Sequence, residues 1–257
     1  MSGGGQVVRI GYGYTGHRDL PRARGAGCDA ADAQLGDRLG AKLSPLCFEG
    51  PADRLNRTDI SQPAIFVTSI ASWRALLAKW NMGNGEQPIA AAAGLSLGEY
   101  TALTIAGAMS FEDGLELVTL RGRAMQDAAE DPQATSGGGG GMVALIGADE
   151  AQAQQVCDAA RGPDVLVCAN YNAPGQIVLS GHKSACDRAA EVASGMGLRA
   201  TVLQVAGAFH SPLMRPAAER LEAALAKTPI KSPRCPVVSN VTAEPHAPAN
   251  GKDEAST

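Results

Sequence analysis

Apolar residues recur at helical spacing in "TDISQPAIFVTSIASWRALLAKW". Phe66, Ile70, Trp73, Leu77 and Trp80 are separated by four, three, four and three positions, which puts them on one helix face. Pro63 suits a first turn, and Asp59 or Ser61 can cap it. After the loop "NMGNGEQ", the run "PIAAAAG" reads as a short buried strand. "GEYTALTIAGAM" is then a helix ending near Gly107. "SFEDGLELVTLRGRAMQDAAE" is a second, with Ser110 and Asp113 at capping-box spacing and Leu117, Leu120 and Ala124 on its inner face.

The pattern changes after "DPQATSGGGGG", a low-complexity connection into a different unit. From there the chain reads strand "MVALIGA", helix "DEAQAQQVCDAA", strands "DVLVCANYN" and "QIVLSG", helix "HKSACDRAAEVASGMG" and strand "RATVLQVA". That β-α-β-β-α-β order is ferredoxin-like. It predicts a small subdomain over 142–206, inserted in a discontinuous core of 1–131 and 207–257. "HSPLMRPAAERLEAALAKT" follows as a helix with Leu213, Ala217, Leu221 and Leu225 on one face, and "CPVVSNVT" as a strand. Residues 1–45 show little periodicity, and the final "AEPHAPANGKDEAST" has no structural pattern.

Composition narrows the picture. A chain of 257 residues, 45% hydrophobic and 19% charged, suits one soluble domain with an insertion. A net charge of −4 gives nothing to attract nucleic acid. No apolar run approaches the ~18 residues that span a bilayer, and the N-terminus lacks a signal-peptide pattern. The expectation is a cytoplasmic protein with no membrane association. The six cysteines are scattered, with no C-x-x-C pair, so reduced thiols and no metal site are expected.

The candidate chemistry sits between the strand "PIAAAAG" and the helix "GEYTALTIAGAM". Gly94-Leu95-Ser96-Leu97-Gly98 is a Gly-x-Ser-x-Gly sequence at a strand–helix junction, the pattern of a nucleophile elbow. Such a serine stands at a helix N-terminus, where the Leu97 N–H can point at a developing oxyanion. An ordinary strand–helix turn is the plainer reading. A nucleophilic serine needs a base, and the chain has four histidines. His17, His182 and His246 read as surface residues. His210, in "VAGAFHSPLM", lies where the chain returns to the main core. On the residues alone it is either the base or a capping or surface histidine.

Four blocks, "GLSLGEYTAL", "TLRGRAMQDA", "NYNAPGQIVLSG" and "GAFHSPLM", together resemble the malonyl-CoA:acyl-carrier-protein transacylases and the acyltransferase domains of polyketide synthases. The resemblance extends from about residue 46 to 242. It implies an α/β-hydrolase-like core with a parallel sheet around the inserted subdomain. It implies Ser96 as nucleophile, His210 as its base, and Arg121 as the group that binds the malonyl carboxylate through two parallel donors. Leu97 would supply an oxyanion donor and, with Met125, Phe209, Asn170 and Asn172, would line the substrate site. The implied reaction transfers malonyl from malonyl-CoA to the phosphopantetheine thiol of acyl carrier protein through a malonyl-serine ester, in fatty acid biosynthesis. It needs no cofactor, and a monomer is expected.

The chain departs from the family at both ends. The family opens with a strand and a glutamine loop that gives a second oxyanion donor. Here Gln6 is the candidate remnant, and the following residues to about Ala30 do not match the family's first helix. The family also continues past "PVVSNVT", in a segment that orients the catalytic histidine. Leu95 stands where histidine is more usual. Two other expectations therefore stand beside the first: a serine hydrolase of thioesters or esters, and an inactive fragment that still binds acyl carrier protein.

Overall fold

The computed structural model describes residues 6–9, 43–80, 89–131 and 139–246. His17 and Cys28 lie outside these. The chain forms two compact units, one of residues up to Leu120 together with those from Leu225, the other Arg121–Ala224. The second unit is wider than the 142–206 expected, since it takes in residues 121–130 and 207–224.

In the first unit, helices α1 (Leu43–Glu49), α2 (Ala52–Leu55) and α3 (Thr58–Lys79) precede strand β2 (Ile89–Ala93), helix α4 (Gly98–Ile105) and the first half of α5 (Phe111–Glu130). β2 is the centre of a parallel sheet, between β1 (Gln6–Arg9) and β7 (Val237–Val238). Phe66, Ile70, Trp73 and Leu77 of α3 are buried with Leu97, Ile105, Leu115 and Val118, so the apolar face lies where its periodicity puts it. Trp80 does not join it. The helix ends at Lys79, and Trp80 is the exposed C-cap. The helix also starts earlier than its proline suggests. Arg57 is the N-cap, with no side-chain cap bond, and Pro63 lies inside the helix. Asp59 is a first-turn residue that accepts from Arg57 Nε at 3.1 Å. At α5, Ser110 Oγ accepts the Asp113 N–H at 3.0 Å, and its hydroxyl donates to Asp113 Oδ2 at 2.6 Å. The cap forms where its spacing predicts, with the carboxylate held by the serine hydroxyl. β2 is less buried than expected. Of its five residues only Ala92 is buried, clustered with Ala102 of α4, its C-cap Ala106 and Val237.

In the second unit, β3 (Gly140–Ile146), β4 (Leu166–Ala173), β5 (Gln176–His182) and β6 (Arg199–Val202) form an antiparallel sheet in the order β4-β5-β3-β6. Helices α6 (Glu150–Arg161) and α7 (Lys183–Gly195) cover one face, with Val143, Leu145, Leu166, Ile177 and Leu179 packed on Val156, Cys157, Ala185 and Ala189. The other face carries Met142, Ala144 and Val178, against Leu203 and Phe209. β6 stops at Val202, four residues short of the strand expected. Helix α8 (Arg215–Leu225) follows a 3-10 turn, Pro212–Met214, which Ser211 caps by accepting the Leu213 N–H at 3.3 Å. Met214 of the 3-10 turn and Ala217 of α8 are buried with Ala124, Met125 and Ala128 of α5.

His182 is a structural residue, not a surface one. Its Nδ1 accepts the Val165 N–H at 3.0 Å, beside Asp164. The five described cysteines are free thiols, and burial pushes those of Cys168 and Cys186 up to about 11. Among the described residues no helix is long and apolar enough to cross a membrane, and no three potential ligands gather as they would round a metal ion.

The sheet leaves no room at Gly181, where a Cβ would lie 2.0 Å from the Val165 carbonyl oxygen. At Gly141 the nearest atoms would be 3.5 Å away, an ordinary contact. Gly181→Ala is therefore expected to destabilise the protein by about 1–3 kcal/mol. Gly141→Ala should stay within about 0.5 kcal/mol of wild type. Urea unfolding of the two variants checks this. Equal midpoints would contradict the packing described.

Candidate active site

The turn between β2 and α4 is tight for a reason visible in its glycines. A Cβ on Gly94 would lie 2.1 Å from the carbonyl carbon of Gly98 and 2.7 Å from the Glu99 nitrogen. Strand end and helix start approach more closely than any side chain at 94 allows. The chain turns through Ser96, whose φ of 52° is in the left-handed region that a non-glycine residue adopts only at a cost of roughly 1–3 kcal/mol. The turn is closed by Gly98 N–H to Leu95 O (2.8 Å), Glu99 N–H to Ser96 O (3.2 Å) and Tyr100 N–H to Leu97 O (3.1 Å). Leu97 is 2% exposed and packs in the α3 cluster, which anchors the residue after the serine. Ser96 itself stays half-exposed, and Leu95 is exposed. A strained serine at the start of a helix, with its neighbour's N–H near the helix's positive end, can act as a nucleophile whose product oxyanion is stabilised locally.

The Ser96 N–H donates to Asn240 Oδ1 at 2.7 Å. Sequence reasoning passed over Asn240, because a lone asparagine in "SNVT" carries no spacing that marks it. Its contact with Ser96 comes from the register: Ala93 pairs with Val238, so the turns after β2 and β7 leave the sheet side by side.

That register also corrects the reading of Gln6. Gln6 pairs with Ile89, whereas Arg9 pairs with Ala93. In a parallel sheet the functional turn follows the C-terminal strand ends. Gln6 therefore sits at the opposite end of β1, roughly 10 Å of strand away from the Ser96 end.

The second unit holds Arg121 and His210. On α5, Arg121 is half-buried while Arg123 is exposed. His210 has a φ of 60°, also left-handed. Its loop passes close to β3, where a Cβ on Gly140 would lie 2.4 Å from the Ala208 nitrogen. Phe209 packs against both Met142–Val178 on the sheet and Met125–Met214 beside α5, and Ser211 Oγ donates to Ala208 O at 2.6 Å. The flanking residues thus fix the loop while the His210 side chain is left for other work. Removal from water, first, and the positive charge of Arg121, second, lower the His210 pKa below its ordinary value. A lowered pKa favours the neutral imidazole, which can accept a proton. Met125 is buried in the α5 cluster. Asn170 is half-buried and pairs with Val178, so it shares the Phe209 side of the sheet, and Asn172 is exposed at an irregularity of β4. His246 is exposed, as expected of a surface residue, and belongs to the first unit, where it contacts Glu99.

The family model for the acyl transferase domain matches residues 18–256. The chain belongs to the acyl transferase domain family. Among acyl transferase relatives, the malonyl CoA-acyl carrier protein transacylase of Salmonella typhimurium is 41% identical over 210 residues, 81% of this chain and 64% of that protein. The Bacillus subtilis protein of the same name is 42% identical over 237 residues, 91% of this chain and 69% of its own. The chain thus spans about two thirds of the length of these curated relatives. The solved malonyl CoA-acyl carrier protein transacylase of Coxiella burnetii superposes with a TM-score of 0.81 at 35% identity, over 95% of this chain and 76% of that one. A complex of a type II PKS acyl-carrier protein with its malonyl-transacylase gives a TM-score of 0.75 at 35% identity, over 86% and 68%.

The electrostatic link between Arg121 and His210 has a direct test. Arg121→Gln removes the smaller of the two causes that lower the His210 pKa, so its midpoint should rise yet stay below about 6.5. NMR titration of the His210 ring protons reads this. An unchanged midpoint would show that the guanidinium does not act on the imidazole.

Proposed function

We propose that this acyl transferase chain moves a malonyl group from malonyl-CoA to the phosphopantetheine thiol of acyl carrier protein, through an ester on Ser96. The observation that carries this reading is the pairing of a half-buried arginine with a histidine whose pKa its charge helps to lower, in a family whose relatives at about 40% identity bear the transacylase name. The solved transacylase in complex with an acyl-carrier protein supports the carrier as partner.

In the proposed mechanism His210 takes the Ser96 hydroxyl proton as Oγ attacks the thioester carbonyl. Charge on the carbonyl oxygen is met by the Leu97 N–H. The C–S bond breaks, the thiol of CoA leaves with the proton from His210, and malonyl remains on Ser96. The carrier thiol then gives its proton to His210, attacks the ester, and Ser96 leaves as a hydroxyl. Arg121 holds the malonyl carboxylate throughout. A carboxylate-binding arginine has no task in a hydrolase of neutral acyl groups. Asn170 and Phe209, on one side of the sheet, are the proposed wall of the acyl pocket, with Met125 behind and Asn172 at its edge. We also read the first unit as an α/β-hydrolase-like core. The β-α-β-β-α-β order and the strand order β4-β5-β3-β6 support a ferredoxin-like reading of the insertion.

Loading of radiolabelled malonyl and acetyl groups from CoA tests the assignment. A charge-assisted bond is worth about 1.5–3 kcal/mol, so Arg121→Ala should slow malonyl loading roughly 10- to 150-fold and leave acetyl loading nearly unchanged. Equal loss for both acyl groups would remove Arg121 from the carboxylate site.

A further inference from the structure

We propose that Asn240 is a positioning residue for the nucleophile, and that Glu99 and His246 hold it in place. This rests on the reading of Ser96 as nucleophile. The Ser96 N–H lies past the last β2–β7 pair, Ala93 with Val238, and before the first residue of α4, Gly98. Neither sheet nor helix supplies its acceptor. Asn240 Oδ1 does so at 2.7 Å, from 144 residues away. The Asn240 N–H in turn donates to Glu99 Oε2 at 3.3 Å. Glu99 is one turn beyond Ser96, and its own N–H holds the Ser96 carbonyl. The left-handed serine is therefore gripped through both peptide groups that flank its Cα, by Asn240 at its N–H and by Glu99 at its C=O.

The other Glu99 oxygen, Oε1, faces His246 Nε2 at 2.6 Å, and since a carboxylate only accepts, the ring nitrogen donates. The Glu99 side chain is 18% exposed, so water competes weakly for it. Asn240 and His246 belong to one closed turn. It is tied by Ser239 N–H to Glu244 O (2.8 Å), Ala243 N–H to Ser239 O (3.0 Å) and His246 N–H to Val237 O (2.9 Å). The turn is a rigid clamp on the elbow: one end holds the serine amide, the other holds the carboxylate that the clamp's own backbone also contacts. A left-handed backbone persists only when its surroundings over-determine it, and these bonds provide that determination.

The test reads Ser96 reactivity toward a fluorophosphonate probe, in wild type, Asn240→Leu, Asn240→Ala and Asn240→Asp, with thermal midpoints measured alongside. Asn240→Leu removes the acceptor and should slow the maximal labelling rate ~10-fold with the probe's apparent affinity unchanged. Asn240→Asp keeps an acceptor oxygen and should stay within about threefold of wild type. Asn240→Ala covers the case in which the leucine variant does not fold, and should be slowed like it. Hydrogen exchange of the Ser96 amide should accelerate in the leucine and alanine variants. Wild-type rates in the folded variants lacking the acceptor would overturn the proposal, as would an Asn240→Asp protein as slow as Asn240→Leu. A wild-type protein that the probe does not label at Ser96 would instead sink the nucleophile reading itself.

Discussion

The close approach of Gly94 to Gly98 is the constraint on which the candidate site depends. Two backbones meet where even a methyl group would collide, and Ser96, midway between them, takes a left-handed turn. The strain is sustained from several sides. Leu97 is sunk in the helical core, the Ser96 carbonyl accepts from Glu99, and its N–H donates to Asn240. The same turn places Ser96, half-exposed, at a helix N-terminus.

A second loop in the other compact unit is built on the same principle. His210 is left-handed, and its neighbours on both sides are committed to packing or hydrogen bonds: Phe209 to two apolar clusters, Ser211 to the Ala208 carbonyl and the Leu213 amide. Arg121 adds charge to the histidine's surroundings, and that charge favours the neutral imidazole a base requires. In the reaction proposed above, one arginine would serve two ends, recognition of an acidic acyl group and tuning of the base.

Much of this was legible in the chain. Long amphipathic helices announce themselves, and the α3 face of Phe66, Ile70, Trp73 and Leu77 is where its spacing puts it. The serine motif was legible because glycines at fixed offsets record a steric requirement. Element ends were less so. Pro63 suggested a helix start, yet the helix begins five residues earlier, since tertiary burial of Thr58 and Ile60 outweighs proline's local preference. The helix after His210 begins at Arg215, behind a 3-10 turn capped by Ser211, and periodicity does not register that turn. Asn240 and the true place of Gln6 depend on parallel-strand register, a long-range property that no local pattern carries. His246 looked like a tail residue, and only the fold brings it to Glu99.

The central claim is that Ser96 carries the acyl group. The most direct measurement is to incubate the protein with malonyl-CoA alone, quench in acid, and locate the adduct by peptide mass mapping. The account predicts one malonyl ester, on the peptide containing Ser96, and none in Ser96→Ala. An unmodified Ser96, or a malonyl group on another residue that persists in Ser96→Ala, would contradict it.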